Sequence, residues 1–265
     1  MRTLVVAAEH PWPTNSGSRQ RLAATLSGLG SRGPVDLFSV VSTARSDFDD
    51  PPAEAGVERV GRVAIDDSPR LGGWVRAAPR PSMPFELPAG QRREVRRALG
   101  EFASGDYDLV WCFRVRAWVL AGQPDMAPAV VDLDDLEDQK IRARLASASD
   151  PPRGVLHAAR GGLGRALWTA DARRWQRLHG RISQRCAATV VCSELDAARA
   201  ALPGVHVVPN GYEEPNPPVG RDKVGPEPTL LFHGTLRYPP NADAARFLVT
   251  DVAPRLRELL PSVRL

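Results

Sequence analysis

The stretch of the chain with the clearest chemical potential is an acidic run that directly follows an apolar, β-branched segment. Residues 131–138 read Val-Asp-Leu-Asp-Asp-Leu-Glu-Asp, which places four Asp and one Glu within seven residues. Carboxylates crowded in this way repel one another unless they meet solvent, cations or hydrogen-bond donors. The strongest candidates for a catalytic or ligand-binding role are Asp134 and Asp135.

Three interpretations of this acidic run stay open. Asp134 or Asp135 caps the helix that follows, the Asp-x-Asp spacing holds a divalent metal against a diphosphate, or the carboxylates bind acceptor hydroxyls or act as a base. We favour capping combined with ligand contact over metal binding, because Asp-x-Asp is a short pattern that arises often by chance. No catalytic base is assigned.

A second candidate site is the loop Pro13–Arg19, Pro-Thr-Asn-Ser-Gly-Ser-Arg, which follows the first apolar run and precedes a helical pattern. Gly17 would let a phosphate approach the backbone, Ser16 and Ser18 could donate hydrogen bonds to it, and Arg19 or Arg21 could add charge. The loop lacks the Gly-Lys-Ser/Thr of a P-loop and the three glycines of the dinucleotide fingerprint. A plain turn with a serine cap is the competing interpretation.

The same kind of unit opens again near the C-terminus. The run Thr229–Phe232 leads into a polar loop that begins His233-Gly234-Thr235, and another helical pattern follows. Strand, polar loop and helix in this order offer a ligand the free N–H groups and the positive dipole end of the helix. Two such units predict two facing domains.

Alternation of apolar runs and helical patterns along most of the chain predicts an α/β fold with a Rossmann-like, doubly wound parallel sheet. Several strand candidates are β-branched without polar alternation, as expected of parallel strands covered on both faces. The predicted strands are Thr3–Ala8, Val35–Val41, Val57–Ile65, Tyr107–Phe113, Ala129–Leu133, Thr189–Cys192, Val205–Val208 and Thr229–Phe232. The predicted helices are Arg19–Leu29, Arg92–Phe102, Leu136–Leu145, Leu163–Arg185, Glu194–Leu202 and Ala242–Leu260.

Proline marks the expected domain boundary. Five prolines fall within the polar stretch 213–228, which reads as an interdomain linker. We therefore expect an N-terminal domain over residues 1–212, a linker over 213–228, and the opening of a second Rossmann-like domain over 229–265.

Composition restricts the class of protein. The 265 residues are 43% hydrophobic and 25% charged, and no apolar run reaches the roughly 18–20 residues of a membrane span. The N-terminus lacks the pattern of a signal peptide, which predicts a cytoplasmic protein.

The three cysteines have no metal spacing and are expected to be reduced, buried thiols. The net charge of +4 rests on a basic set that is almost entirely arginine, and no nucleic-acid-binding module is recognisable, so nucleic acid is not an expected partner.

Arginines form a stripe along the predicted helix 163–185, at positions spaced by eight or four residues. A basic amphipathic helix can lie on an anionic membrane surface, which would make the protein peripheral at the inner face of the membrane. An ordinary solvated helix face is the favoured interpretation.

Five short sequence motifs, taken in their order along the chain, resemble those of the GT-B glycosyltransferases of the family 4 type. They are the segments Pro11–Arg19, Asp132–Glu137, Val191–Glu194, Val207–Tyr212 and Phe232–Ala244. The resemblance runs along nearly the whole chain, and its specificity lies in the order of the motifs.

The resemblance implies a two-domain fold that transfers a sugar from a nucleotide-sugar donor to an acceptor with retention at the anomeric carbon. The first domain would hold a sugar, lipid-linked or small-molecule acceptor, and its Gly17 loop would face the donor diphosphate. Gly234 and Thr235 would lie near the phosphates in the second domain, with Arg237 and Asn241 in the same loop. No metal is implied, because helix termini and basic residues stabilise the leaving diphosphate.

The resemblance also implies that the chain is interrupted within its donor domain. The acidic pair with which the family grips the donor sugar has no counterpart before Leu265. We therefore expect the 265-residue chain by itself to be inactive or nearly so. The alternative function is a non-catalytic protein that binds a glycan or acceptor, or that completes a split glycosyltransferase. A nucleotide-sugar epimerase ranks lower, because no histidine cluster is present.

Overall fold

The computed structural model describes residues 1–44, 48–66, 83–85, 87, 91–147, 155–211, 228–236 and 239–264. The predicted linker, apart from Pro228, and the candidate residue Arg237 lie outside these ranges. The chain divides into two compact units, Met1–Tyr212 and Glu213–Leu265.

The first unit is built on one parallel sheet of seven strands, β1 to β7 in chain order. The spatial order is β3-β2-β1-β4-β5-β6-β7, and every neighbouring pair is parallel. The strands are β1 (Thr3–Ala7), β2 (Val35–Ser42), β3 (Val57–Ile65), β4 (Leu109–Phe113), β5 (Ala129–Asp134), β6 (Ala188–Val191) and β7 (Val205–Val207). This topology confirms the predicted Rossmann-like, doubly wound sheet.

Helices connect the strands, as a parallel sheet requires. Those of the first unit are α1 (Gly17–Gly30), α2 (Arg92–Phe102), α3 (Val115–Leu120), α4 (Glu137–Ser147), α5 (Val155–Arg185) and α6 (Glu194–Ala200), with a 3-10 turn at Ala53–Ala55. Five of these six helices match or overlap predicted helices, and α3 was not predicted. Its six residues are almost all buried, so they show no amphipathic period.

The sheet packs a hydrophobic core on each face. The larger core contains Leu4, Val6 and Val110 with Trp118 from α3 and Ile182 from α5. The smaller core joins alternate residues of the same central strands to Leu22 and Leu26 of α1. Central strands buried on both faces explain why the sequence reads there as continuous β-branched runs.

The second unit contains α7 (Pro239–Phe247), a π-helical turn (Leu248–Val252) and α8 (Ala253–Leu259). The predicted strand Thr229–Phe232 is wrong as a strand. Its contact in the described part of the chain is one isolated parallel bridge between Thr229 and Arg264. A β-strand is held by a ladder to a neighbour, and a single bridge does not form one. The predicted helix Ala242–Leu260 is the composite of α7, the π turn and α8.

Across the described ranges, no helix combines the length and the apolarity that crossing a bilayer requires.

Candidate functional site at the carboxyl edge of the sheet

The strand order indicates that the candidate ligand-binding crevice of the first unit lies between β1 and β4. From β1 the chain moves outward to β2 and β3, then returns to the other side of β1 to form β4. In doubly wound sheets, ligands bind outside the carboxyl ends of the strands at the point where the order reverses. Glu9 follows β1 and Arg114 follows β4, while Asp134 ends the neighbouring β5.

Arg114 lies between two carboxylates at this edge. Its Nη2 and Nε donate to Asp134 Oδ2 at 2.9 and 3.2 Å, and its Nε lies 3.6 Å from Glu9 Oε1. Burial alone would lower the pKa of Arg114, but Glu9 and Asp134 outweigh it, so the pKa is raised. The side chain still exposes 39% of its surface, and so remains in reach of a ligand.

Both Arg114 and Asp134 have positive φ angles, of 71° and 59°. Such conformations cost a non-glycine residue of order 1–3 kcal/mol and persist where surrounding contacts fix them. They cluster at functional sites more than elsewhere. Two strained residues at adjacent strand ends, joined by an ion pair, mark this edge as the candidate site.

A buried ion pair fixes the conformation of Asp134. Arg21, on α1, donates from Nε and Nη2 to the two carboxylate oxygens of Asp132 at 3.0 and 3.1 Å. Asp132 Oδ1 also accepts a hydrogen bond from the backbone N–H of Asp134 at 3.0 Å. Burial raises the pKa of Asp132, and the Arg21 guanidinium opposes that rise. Arg21 and Asp132 therefore act as positioning residues for Asp134.

Residues at the start of α1 also contact this network of charged groups. Ser18 Oγ donates to Glu9 Oε2 at 3.1 Å, and Ser16 Oγ accepts from the backbone N–H of Arg19 as a helix cap. We call the set Glu9, Arg21, Arg114, Asp132 and Asp134 the edge cluster. It joins α1 to the ends of β1, β4 and β5 through charged contacts.

A cavity of about 180 Å³, the edge pocket, opens beside the edge cluster. Its lining residues are Ala8, Glu9, His10, Arg19, Val40, Val41, Ser42, Phe48, Arg114 and Arg116. His10 in its wall is 1% exposed, with Nδ1 3.2 Å from Ser39 Oγ and Nε2 2.9 Å from the carbonyl of Asp49. Burial lowers the pKa of His10, so the ring is neutral at pH 7 and holds the loop in place.

A larger cavity, of about 350 Å³, lies along α1. Its lining residues are Arg21, Ala24, Thr25, Gly28, Leu29, Trp111, Val208, Pro209, Asn210 and Gly211. Among its described lining residues only Arg21 is charged, and that guanidinium is already held by Asp132, the carbonyl of Val208 and the side chain of Asn210. We therefore place the candidate site at the edge pocket, where chemically active groups converge.

The structure separates the two aspartates that the sequence singled out. Asp134 lies inside the edge cluster, 8% exposed. Asp135 is exposed and lies 2.8 Å from Lys140 Nζ on α4. Only Asp134 of the two faces the other charged groups at the strand ends.

The predicted phosphate loop has a mixed geometry. Ser16 and Gly17 are exposed, Ser18 is partly buried, and a side chain built on Gly17 would meet nothing within 4 Å. Arg19 is 1% exposed and donates from Nη1 to the carbonyl of Pro13 and to Asn15 Oδ1. The buried guanidinium of Arg19 thus stabilises the loop conformation through hydrogen bonds, a role that the sequence did not predict.

In the second unit, three predicted residues come together. Asn241 Nδ2 donates to the carbonyl of Thr235 at 3.2 Å, and a Cβ on Gly234 would lie 2.8 Å from that same nitrogen. Glycine at 234 therefore lets Asn241 hold the loop against the start of α7.

Sequence reasoning missed Glu9, and its position after β1 at the switch point was the available signal. Arg21 was expected only as a charge for a phosphate in the first loop. Its pairing with Asp132 carried no signal, since that partner is 111 residues away.

The described part of the chain was also searched for a metal site and for a reactive thiol. There, no three His, Cys, Asp or Glu side chains converge as a metal site. The thiol of Cys192 lies 3.1 Å from the carbonyl of Asp134, and burial first, with Asp134 contributing, raises its pKa to about 12. A thiol with that pKa is a poor nucleophile at pH 7.

Comparison with known proteins returned no matching family model and no matching curated protein. Among solved structures, the chain is similar to UGT2 from Phytolacca americana, solved with UDP-2-fluoro-glucose and pterostilbene, at 12% identity and a TM-score of 0.42. It is also similar to a UGT transferase from Siraitia grosvenorii, solved with UDP, at 14% identity and a TM-score of 0.40. The alignments cover 82% and 94% of this chain and 56% of each of those chains.

The chain thus spans about half the length of the solved structures that it matches. At such similarity, the class of the protein rests on its own sheet topology: a Rossmann-like α/β domain with a charged site at its switch point.

Proposed function

We propose that this chain belongs to a GT-B glycosyltransferase of the family 4 type, which transfers a sugar from a nucleotide sugar to an acceptor with retention. The first unit would bind the acceptor, and the loop containing Gly234, Thr235 and Asn241 would face the donor diphosphate. The observation that carries this proposal is that Glu9 and Arg114, which follow β1 and β4, line one cavity at the switch point, where Asp134 at the end of β5 holds Arg114 in place.

The chemistry of the edge pocket suits a sugar. Carboxylate and guanidinium groups bind sugar hydroxyls as acceptors and donors, and the Phe48 ring supplies an apolar wall. The ordered sequence motifs, from Pro11–Arg19 to Phe232–Ala244, support the glycosyltransferase assignment independently of the cavity.

The test compares two neighbouring substitutions in the 265-residue chain. Saturation-transfer NMR and calorimetry would measure binding of simple sugars, with nucleotide sugars in parallel. We expect Asp134→Asn to weaken sugar binding about tenfold or more, because Asn tolerates the positive φ but loses the charge that holds Arg114. Asp135→Asn is the matched control and should change binding less than about twofold.

Equal effects of the two substitutions, or sugar binding that ignores both, would contradict the placement of the site.

A further inference from the structure

We propose that the acceptor bound in the edge pocket carries an anionic group, a phosphate or a carboxylate, on a single sugar-sized ring. This inference rests on the proposed function and specifies its substrate class. It follows from the charge, the size and the wall chemistry of the pocket.

The lining of the edge pocket has an excess of positive charge. Among its described residues, Arg19, Arg114 and Arg116 contribute three guanidinium groups and Glu9 contributes one carboxylate. Asp134, which binds Arg114 from outside the lining, brings the net charge of this set to +1. A concave surface with one dominant sign concentrates the field and attracts ligands of the opposite sign. Planar guanidinium groups also match the geometry of phosphate and carboxylate.

The two arginines that follow β4 are the ones placed for a ligand. Arg114 and Arg116 are both partly exposed, whereas Arg19 is buried beneath the loop. Arg114 is held by Glu9 and Asp134, so its position is fixed before a ligand arrives. Arg116 adds a second guanidinium to the same cavity wall.

The volume suits one ring. About 180 Å³ equals roughly six water molecules at their share of liquid volume, which is enough for one ring with a substituent. Phe48 and Val40 give the ring an apolar wall, while Glu9 can accept a hydroxyl hydrogen bond.

The experiment measures binding of matched probes to the 265-residue chain. The probes are glucose and mannose, their 6-phosphates, glucuronate, and inorganic phosphate. We expect an anionic sugar to bind about tenfold or more tightly than its neutral parent. The phosphate and uronate arms show which anionic group the pocket prefers, and this preference should weaken as salt rises.

Substitution of Arg116 tests the source of the preference. Arg116→Ala should reduce the ratio of anionic to neutral affinity towards one. Arg116→Lys should retain most of the ratio, which guards against a mere loss of folding. Arg97→Ala, an exposed arginine on α2, removes the same charge elsewhere and should leave the ratio unchanged.

Equal affinity for glucose and its phosphate would overturn the inference and leave the proposed function standing. Binding of inorganic phosphate as tight as that of a sugar phosphate would also overturn it, because the sugar ring would then contribute nothing to the affinity. Absence of binding by every sugar would contradict both the inference and the proposed function.

Discussion

At the scale of single residues, the guanidinium group of Arg21 joins parts of the chain that are far apart in sequence. It donates to both carboxylate oxygens of Asp132, and its Nη1 donates to the carbonyl of Val208 and to Asn210 Oδ1. Asp132 in turn fixes the backbone of Asp134. Arg21 therefore sets the geometry of the candidate site without lining the edge pocket.

Replacement of Arg21 should be costly. We expect Arg21→Met to lower the free energy of unfolding by about 3–5 kcal/mol, because Asp132 would remain buried without its countercharge. Urea denaturation measures this loss. Arg21→Met combined with Asp132→Asn should recover part of it, and Arg97→Ala, at an exposed ion pair, should cost less than about 0.5 kcal/mol.

The pH dependence of that variant has a defined sign. Burial raises the pKa of Asp132 and Arg21 opposes the rise, so the variant's Asp132 binds a proton more readily in the folded state than in the unfolded state. The stability deficit of Arg21→Met should therefore shrink as the pH falls from 8 towards 5. A deficit that is the same for Arg21→Met and Arg97→Ala would contradict the positioning role.

At the scale of elements, α1 contains two nearby glycines in opposite surroundings. A Cβ on Gly28 would meet nothing within 4 Å, whereas a Cβ on Gly30 would lie 3.0 Å from the carbonyl oxygen of Ala55 and from Cα of Gly56. Gly30 therefore allows the end of α1 to approach the 3-10 turn, and Gly28 has no such role.

Alanine at these two positions should have opposite effects on stability. Gly28→Ala should raise the free energy of unfolding by up to about 1 kcal/mol, since alanine favours the helix. Gly30→Ala should lower it by about 1–3 kcal/mol, since backbone atoms would have to move. Thermal and urea denaturation of the pair provide the measurement, and a change of the same sign in both would contradict this packing.

The elements also show where sequence patterns succeed. All seven strands of the sheet were predicted. The central strands form continuous β-branched runs because they are buried on both faces, whereas the edge strands β3 and β7 are largely half-buried or exposed. Helix α3 was missed because five of its six residues are buried, so the segment after the strained Arg114 shows no amphipathic period. The strand at Thr229–Phe232 was predicted wrongly because an apolar run becomes a strand only where a partner strand pairs with it.

At the scale of the whole molecule, the two units differ in how much apolar surface they bury. The first unit has a core on each face of its sheet. In the described part of the second unit, Ala253 and Val263 are the buried apolar residues, while Leu231 and Leu259 expose 82% and 79% of their surface. Burial of apolar area is the main favourable term in folding, so the units should differ in stability.

Hydrogen exchange should report this difference directly. We expect backbone amides of α7 and α8 to exchange about a hundredfold or more faster than those of β1, because little buried surface opposes their opening. Mass spectrometry of the native 265-residue chain at pH 7 measures both in one experiment. Equal protection of α8 and β1 would show that the chain opens as one cooperative unit.

The sequence by itself determined the sheet, its parallel character and the acidic segment at the end of β5, because these depend on local periodicity and on the residues that neighbour one another in the chain. Only the tertiary structure decided which groups form the site. It turned Asp134 towards Arg114 and Asp135 towards Lys140, buried Arg19, and brought Glu9 and Arg21 into the edge cluster. The physical reason is that strand order, which no single segment encodes, sets which carboxyl ends are neighbours, and those neighbours set charge, burial and backbone strain.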